Sequence, residues 1–205
     1  AQVPESFRFF VKAPKGLTFD PLNEVPTALL DNYFLCLEQM GHFLGGSFLQ
    51  FSPYISPFKK RYLFDILESL PTDFPFFIEL RHPDWFSDRT RLSRLLDYLT
   101  KKKIGFVITD TPGRRDVLHM KFSTPRCVIR FKGNNGHSTD FDRLNDWNHF
   151  FERHPHFEEI HFFHHHSDEK FCLDTVKYMG DLWRPRVENF IPEIRFASDR
   201  QPSLF

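Results

Sequence analysis

Short apolar runs recur along the chain with longer segments of helical period between them. FRFFVK (Phe7 to Lys12), GGSFLQF (Gly45 to Phe51) and PFFIELR (Pro75 to Arg81) are followed by GFVITD (Gly105 to Asp110), CVIRFK (Cys127 to Lys132) and IHFFHH (Ile160 to His165). Each is rich in Phe, Val or Ile and bounded by Gly, Pro, Asp or Asn, the pattern of a strand buried on both faces. Between them, Pro26 to Phe43 sets Leu29, Leu30, Tyr33, Phe34 and Leu37 on one stripe, the spacing of an amphipathic helix with Pro26 in its first turn. Ser87 to Lys103 carries Leu92, Leu95, Leu96 and Leu99 at the same period and ends in three lysines that suit a helix C-terminus. Ser87 is the expected cap of that helix. Phe141 to Arg153 and Asp168 to Trp183 read as two more helices. Strand alternating with helix predicts right-handed crossovers and a parallel sheet.

No G-x-G-x-x-G or G-x-x-x-x-G-K-[ST] loop follows any of these strands, which weakens the reading of a nucleotide-binding open sheet. Local pattern leaves an open doubly wound sheet and most of an eight-fold barrel both standing.

Each strand carries, near its C-terminal end, a polar residue two positions after an apolar one on the same face: Phe10 and Lys12, Phe48 and Gln50, Phe77 with Glu79 and Arg81, Ile108 and Asp110. Arg130 and the His164 to His166 cluster stand at the ends of the last two. In a barrel these faces place charge around the C-terminal mouth, where enzymes of that architecture do their chemistry. The bland counterpart is that strand ends are where a chain meets solvent, or that such rings are structural ion pairs.

Composition narrows the partners. With 205 residues the chain fits one domain near the lower length of an α/β barrel, expected over residues 1–183 with a C-terminal tail over 184–205. It contains 27 Phe, so aromatic side chains dominate the core. Lys plus Arg equals Asp plus Glu at 27 each, so net charge does not indicate nucleic acid or an anionic membrane as partner. No apolar stretch is long enough to span a bilayer and the N-terminus lacks a signal-peptide pattern. Cys36, Cys127 and Cys172 show no C-x-x-C spacing, which fits reduced thiols and a cytoplasmic location.

FRFFVKAPK, LQFSP, IELRHPDW and ITDTPG, in this order and spacing, resemble the YecE-like family (domain of unknown function 72). The resemblance covers about residues 7 to 183 and implies a TIM-barrel-like α/β fold without naming a reaction. It implies candidate site positions at Lys12, Gln50, Glu79, Arg81, His82, Trp85 and Asp110, and at Arg130 in VIRFKG, where Lys132 stands in place of the family's usual His. The last strand ends in His164, His165 and His166 where the family often has Asn-Asn. Family members begin with two further strand–helix units before the strand that FRFFVK matches. The expectation is therefore a partial barrel of about six units, with open sheet edges through which copies of the chain can associate.

Three functional readings follow. In the first, Glu79 and Asp110 are acid and base while Arg81, Arg130 and Lys12 clamp a small anion bearing phosphate or carboxylate; Gln50, His82, Trp85, His164 and His165 line the substrate. Lys12 is also the residue that would form a Schiff base. In the second, a metal-dependent phosphoesterase or nuclease, His and carboxylate side chains bind the metal. Strand alternation, however, puts His161 and His165 on one face and His164 and His166 on the other, and the family's Asn-Asn is a poor metal pair. No metal is therefore assigned, and the cofactor stays unknown. In the third, the chain is a non-catalytic binding module or a shortened, inactive protein.

Overall fold

In the computed structural model, which describes residues 3–19 and 24–184, all six apolar runs form strands. They are β1 (Phe9–Lys12), β2 (Leu44–Gln50), β3 (Phe76–Glu79), β4 (Gly105–Phe106) with β5 (Ile108–Asp110), β6 (Arg126–Lys132) and β7 (Glu159–His165). The fourth run is divided at Val107, whose N–H still donates to the Ile78 carbonyl of β3. Two sheets result, ordered β1-β2-β3-β4 and β5-β6-β7, and the pairs β1/β2, β2/β3 and β3/β4 are parallel. The intervening helices are α1 (Lys15–Thr18), α2 (Thr27–Met40), α3 (Lys60–Glu68), α4 (Asp84–Ser87), α5 (Arg89–Lys102), α6 (Ser138–Arg153) and α7 (Lys170–Trp183). This alternation with parallel pairing is the α/β pattern that the periodicity predicts, and it belongs to the TIM-barrel-like class that the resemblance implies.

The described residues fall into two compact units, within Ala1–Arg130 plus Phe157–Phe162 and within Phe131–His156 plus Phe163–Phe205. The expected tail lies, from residue 185 on, outside the described residues.

In the first unit the helices cover one face of the β1–β4 sheet. Leu49, Phe51, Phe76, Ile78, Leu80 and Phe106 meet Leu30, Tyr33 and Leu37 of α2, Leu63, Ile66 and Leu67 of α3, and Leu95 and Leu99 of α5 in one buried cluster. The stripes at period 3.6 are thus the buried faces. Helix α3 had no counterpart among the expected elements, although Tyr62, Leu63, Ile66 and Leu67 carry the same spacing and are all buried. The cap of α5 is Asp88, not Ser87: its carboxylate accepts from the N–H groups of Thr90 (2.9 Å) and Arg91 (3.1 Å). Ser87 ends α4 and turns its hydroxyl back to the Asp84 carbonyl, so the residue adjoining the first turn takes the orphan donors. Lys103 closes α5 in the left-handed region at φ 56°.

On the other face, bulky rings sit where neighbouring strands have no side chain. Phe10 pairs in register with Gly46, and Phe77 with Gly105. A Cβ on Gly105 would lie 2.0 Å from Phe77 Cδ1. Phe10 and Phe77 lie with ring centroids 5.8 Å apart. Phe-rich strands pack in parallel here because glycine on the adjacent strand makes room.

In the second unit α6 and α7 pack through Phe141 against Tyr178 and Phe151 against Trp183. Ahead of α6, the turn 134–136 is closed by the fully buried Asp140 carboxylate, which accepts from Asn134 N–H, Gly136 N–H (3.1 Å) and Arg143 (2.8 Å). No helix among the described residues is long and apolar enough to cross a membrane.

Candidate functional site

Parallel register decides which strand-end residues meet. Lys12 pairs with Phe48, and Gln50 pairs with Glu79, so β1, β2 and β3 present Lys12, Gln50 and Glu79 side by side at their C-terminal ends. The three join in a chain: Lys12 Nζ donates to Gln50 Oε1 at 2.7 Å, and Gln50 Nε2 donates to Glu79 Oε2 at 2.8 Å. Arg130 on β6 completes it, its Nη1 donating to the same Oε2 at 2.5 Å. Gln50 therefore works as a neutral bridge between a cation and a carboxylate, using its amide oxygen and nitrogen once each.

Burial grades across this group. Glu79 is 1% exposed and Arg130 20%, whereas the Arg81 side chain keeps 45% of its surface. Arg81 Nε stands 3.9 Å from Glu79 Oε1, an ion pair without a hydrogen bond. The Arg130 guanidinium also lies 5.6 Å from the Phe48 ring centre. The ammonium of Lys12 sits among like charges. Its pKa is lowered, first by partial burial and then by Arg130, Lys15 and Arg81, while Glu79 alone pulls it up. One buried carboxylate thus stands against several cations.

Asp110, 2% exposed at the end of β5, is held differently: Arg115 Nη1 donates to its Oδ1 at 2.6 Å. Arg114, the preceding residue, pairs with Asp116 and reaches the Arg81 carbonyl at 3.3 Å. Glu79 and Asp110, the two expected acid/base residues, are therefore each tied to an arginine of their own. Arg115 and Lys15 were not among the expected site residues. The signal for Arg115 is the basic pair in PGRRD, directly after the strand that ends in Asp110. Lys15 is a solvated lysine at the start of a four-residue helix, and nothing in the sequence separates it from other lysines.

The ELRHPDW segment leaves the site as a turn into α4. His82 Nδ1 accepts from the Asp84 N–H at 3.2 Å. Trp85 is 3% exposed, part of the helix-side core, and spends its indole N–H on the Ile55 carbonyl at 2.7 Å. Its ring therefore packs inside the protein, joining the loop after β2 to α4.

His164 and His165 belong to the second unit. His164 Nδ1 and His166 Nε2 both lie 3.1 Å from the Thr175 hydroxyl, so these two share a face, as alternation predicts. The Thr175 hydroxyl is also within donor reach of the helix carbonyls of Phe171 (3.3 Å) and Cys172 (3.1 Å). Burial pushes the His164 pKa down to about 3, with His166 and His165 adding to the shift. The His165 carbonyl accepts from the Gly133 N–H at 2.7 Å. His161 is in the first unit, with Nε2 2.9 Å from Glu159 and its ring 4.4 Å from that of Phe10. Among the described residues no group of three or more His, Cys, Asp or Glu side chains is arranged to hold a metal ion.

Comparison with solved structures finds a DUF72 family protein of Enterococcus faecalis V583, in two crystal structures at 2.52 and 3.10 Å. Both have a TM-score of 0.70; identity is 20% and 17%, over 89% and 94% of this chain and 80% of that one. At that identity the likeness concerns the fold. No curated protein matches the chain. The family model described as protein of unknown function DUF72 matches residues 1–199, and with the strand-end motifs in their expected places the chain belongs to that family.

Proposed function

We propose that the C-terminal ends of β1, β2 and β3, with Arg130, bind a small molecule through its phosphate or carboxylate group. The observation that carries this reading is the charge imbalance of the site: Lys12, through Gln50, and Arg130 and Arg81, directly, converge on the single carboxylate of Glu79, in keeping with the lowered pKa of Lys12. Like charges gathered around a partly buried site are stabilised when an anion enters. Lys12 and Arg81 are the exposed members, so they meet the anion, with Arg81 free to grip it bidentately. Arg130 and Gln50, spent on Glu79, hold the floor. Where the anion is a substrate, acid and base chemistry would fall to Glu79 and Asp110. A second reading, a non-catalytic anion-binding module, is favoured by the arginine pairing of both carboxylates. A cytoplasmic setting belongs to the same proposal, supported by three unpaired cysteines, one of them the buried Cys127 whose thiol pKa is raised by burial.

The test is a thermal-shift and calorimetric titration with inorganic phosphate, small carboxylates and sugar phosphates. A ligand at about 100 times its Kd raises stability by about 2.7 kcal/mol. The expected result is a shift that Arg81→Ala removes without changing the unliganded midpoint by more than a degree or so. An anion shift that survives both Arg81→Ala and Lys12→Ala would place binding elsewhere and sink the reading.

A further inference from the structure

Glu79 is the most deeply buried group of the site, and its two oxygens are treated unequally. Oε2 receives two donors, from Gln50 and Arg130. Oε1 is as buried but receives no hydrogen bond among the described residues. The nearest cation, Arg81 Nε, stands 3.9 Å away, beyond hydrogen-bond reach. Buried polar atoms are satisfied in the great majority of cases, and a carboxylate oxygen without a donor is among the costlier exceptions. A carboxylate oxygen with unused acceptor capacity therefore lies beside the guanidinium proposed to hold the anion.

The chemistry of the neighbours limits what can satisfy it. A ligand ammonium group would enter a site that already holds Lys12, Arg81 and Arg130 against one carboxylate, and like-charge repulsion disfavours it. A neutral hydroxyl donates a strong hydrogen bond to a carboxylate with no added positive charge. The distance sets its place in the ligand. Oε1 is closed over by its neighbours, so a hydroxyl reaches it only as the half-exposed Arg81 side chain swings out to the anion; with Arg81 Nε 3.9 Å from Oε1, the group it grips lies only a few bonds from that hydroxyl.

We propose that the ligand is a hydroxylated anion, a hydroxy acid or a polyol or sugar phosphate, whose hydroxyl close to the charged group donates to Glu79 Oε1. This rests on the anion-binding reading above. It adds a specificity role for Glu79: the site distinguishes a hydroxylated anion from its deoxy analogue of equal charge and length.

The experiment compares matched pairs by calorimetry on the whole chain: glycerol phosphate against propyl phosphate, and glycerate against propionate. In at least one pair the hydroxylated member is expected to bind about ten-fold or more tightly, the ratio for one hydrogen bond to a charged acceptor. In Glu79→Gln the amide oxygen turns to the donors of Arg130 and Gln50, leaving an NH2 where Oε1 was. The ratio then falls towards one while the deoxy compound still binds. Glu79→Asp, which withdraws the acceptor by one carbon, gives the same fall should the glutamine variant not fold. Equal binding within each wild-type pair, with all compounds weakened by Arg81→Ala, overturns this inference and leaves the anion site standing. A ten-fold preference unchanged in a folded Glu79 variant assigns the hydroxyl contact elsewhere and likewise overturns it. Binding by none of the four compounds removes both readings.

Discussion

Arg130→Met removes the charge opposite Glu79 while keeping an aliphatic stem of similar length. Glu79 is 1% exposed and loses the 2.5 Å donor on Oε2. It keeps Gln50 at 2.8 Å and the Arg81 charge at 3.9 Å. Removing one partner of a buried ion pair costs about 3–5 kcal/mol, because the other charge is left uncompensated. Arg130 itself keeps 20% of its side chain in water, which moves the expectation to about 2–4 kcal/mol. Urea denaturation at neutral pH and moderate salt, with the slope constant across variants, measures it. The double variant Glu79→Gln/Arg130→Met carries no stranded charge and is expected to be more stable than Arg130→Met alone by about 1 kcal/mol or more, despite its extra substitution. A loss below about 0.5 kcal/mol for Arg130→Met, or strict additivity in the cycle, would show that Glu79 is solvated rather than held by Arg130, and the layered picture of the site would fail with it.

His119 lies parallel to the rings of Phe106 (4.0 Å) and Phe86 (5.4 Å), which themselves stack 6.3 Å apart, with Nε2–H on the Val107 carbonyl and Nδ1 accepting from Lys121 N–H. Burial pushes its pKa down to about 4 from 6.5. The unfolded chain therefore binds the extra proton first, so this contribution is present above about pH 6.5 and is lost as pH falls towards 4. Between about pH 7.5 and 5 the loss is about 2 kcal/mol, and His119→Phe should shrink the acid-side drop in unfolding free energy by that amount; an unchanged pH profile would refute the neutral, stacked ring. Gly105→Ala places a Cβ 2.0 Å from Phe77 Cδ1 and is expected to lose about 1–3 kcal/mol by overpacking, part of which Phe77→Leu restores. A stabilising Gly105→Ala, read by thermal denaturation, would show that the Phe77 ring moves freely.

The strands and most of the helices follow from local periodicity, because burial of one stripe or of a whole run is dictated by the order of apolar residues. Helix α3 was legible in Tyr62, Leu63, Ile66 and Leu67 but was hidden by the Pro- and Lys-rich stretch before it. The candidates Lys12, Gln50, Glu79 and Arg130 stood out as polar ends of apolar strands and as motif positions. Their connection did not, since the hydrogen bonds that join them span 38, 29 and 51 residues of sequence. Parallel register aligns Gln50 with Glu79, and Arg130 reaches the same carboxylate from β6. Three further features were decided in space. Arg115 reaches Asp110 from the segment after β5, and Trp85 turns inward to Ile55. Glu79 presents one satisfied oxygen and one unsatisfied oxygen. A sequence states which residues carry charge. The free energy of that charge depends on the water removed around it and on the donors placed beside it, and both come from segments far apart along the chain.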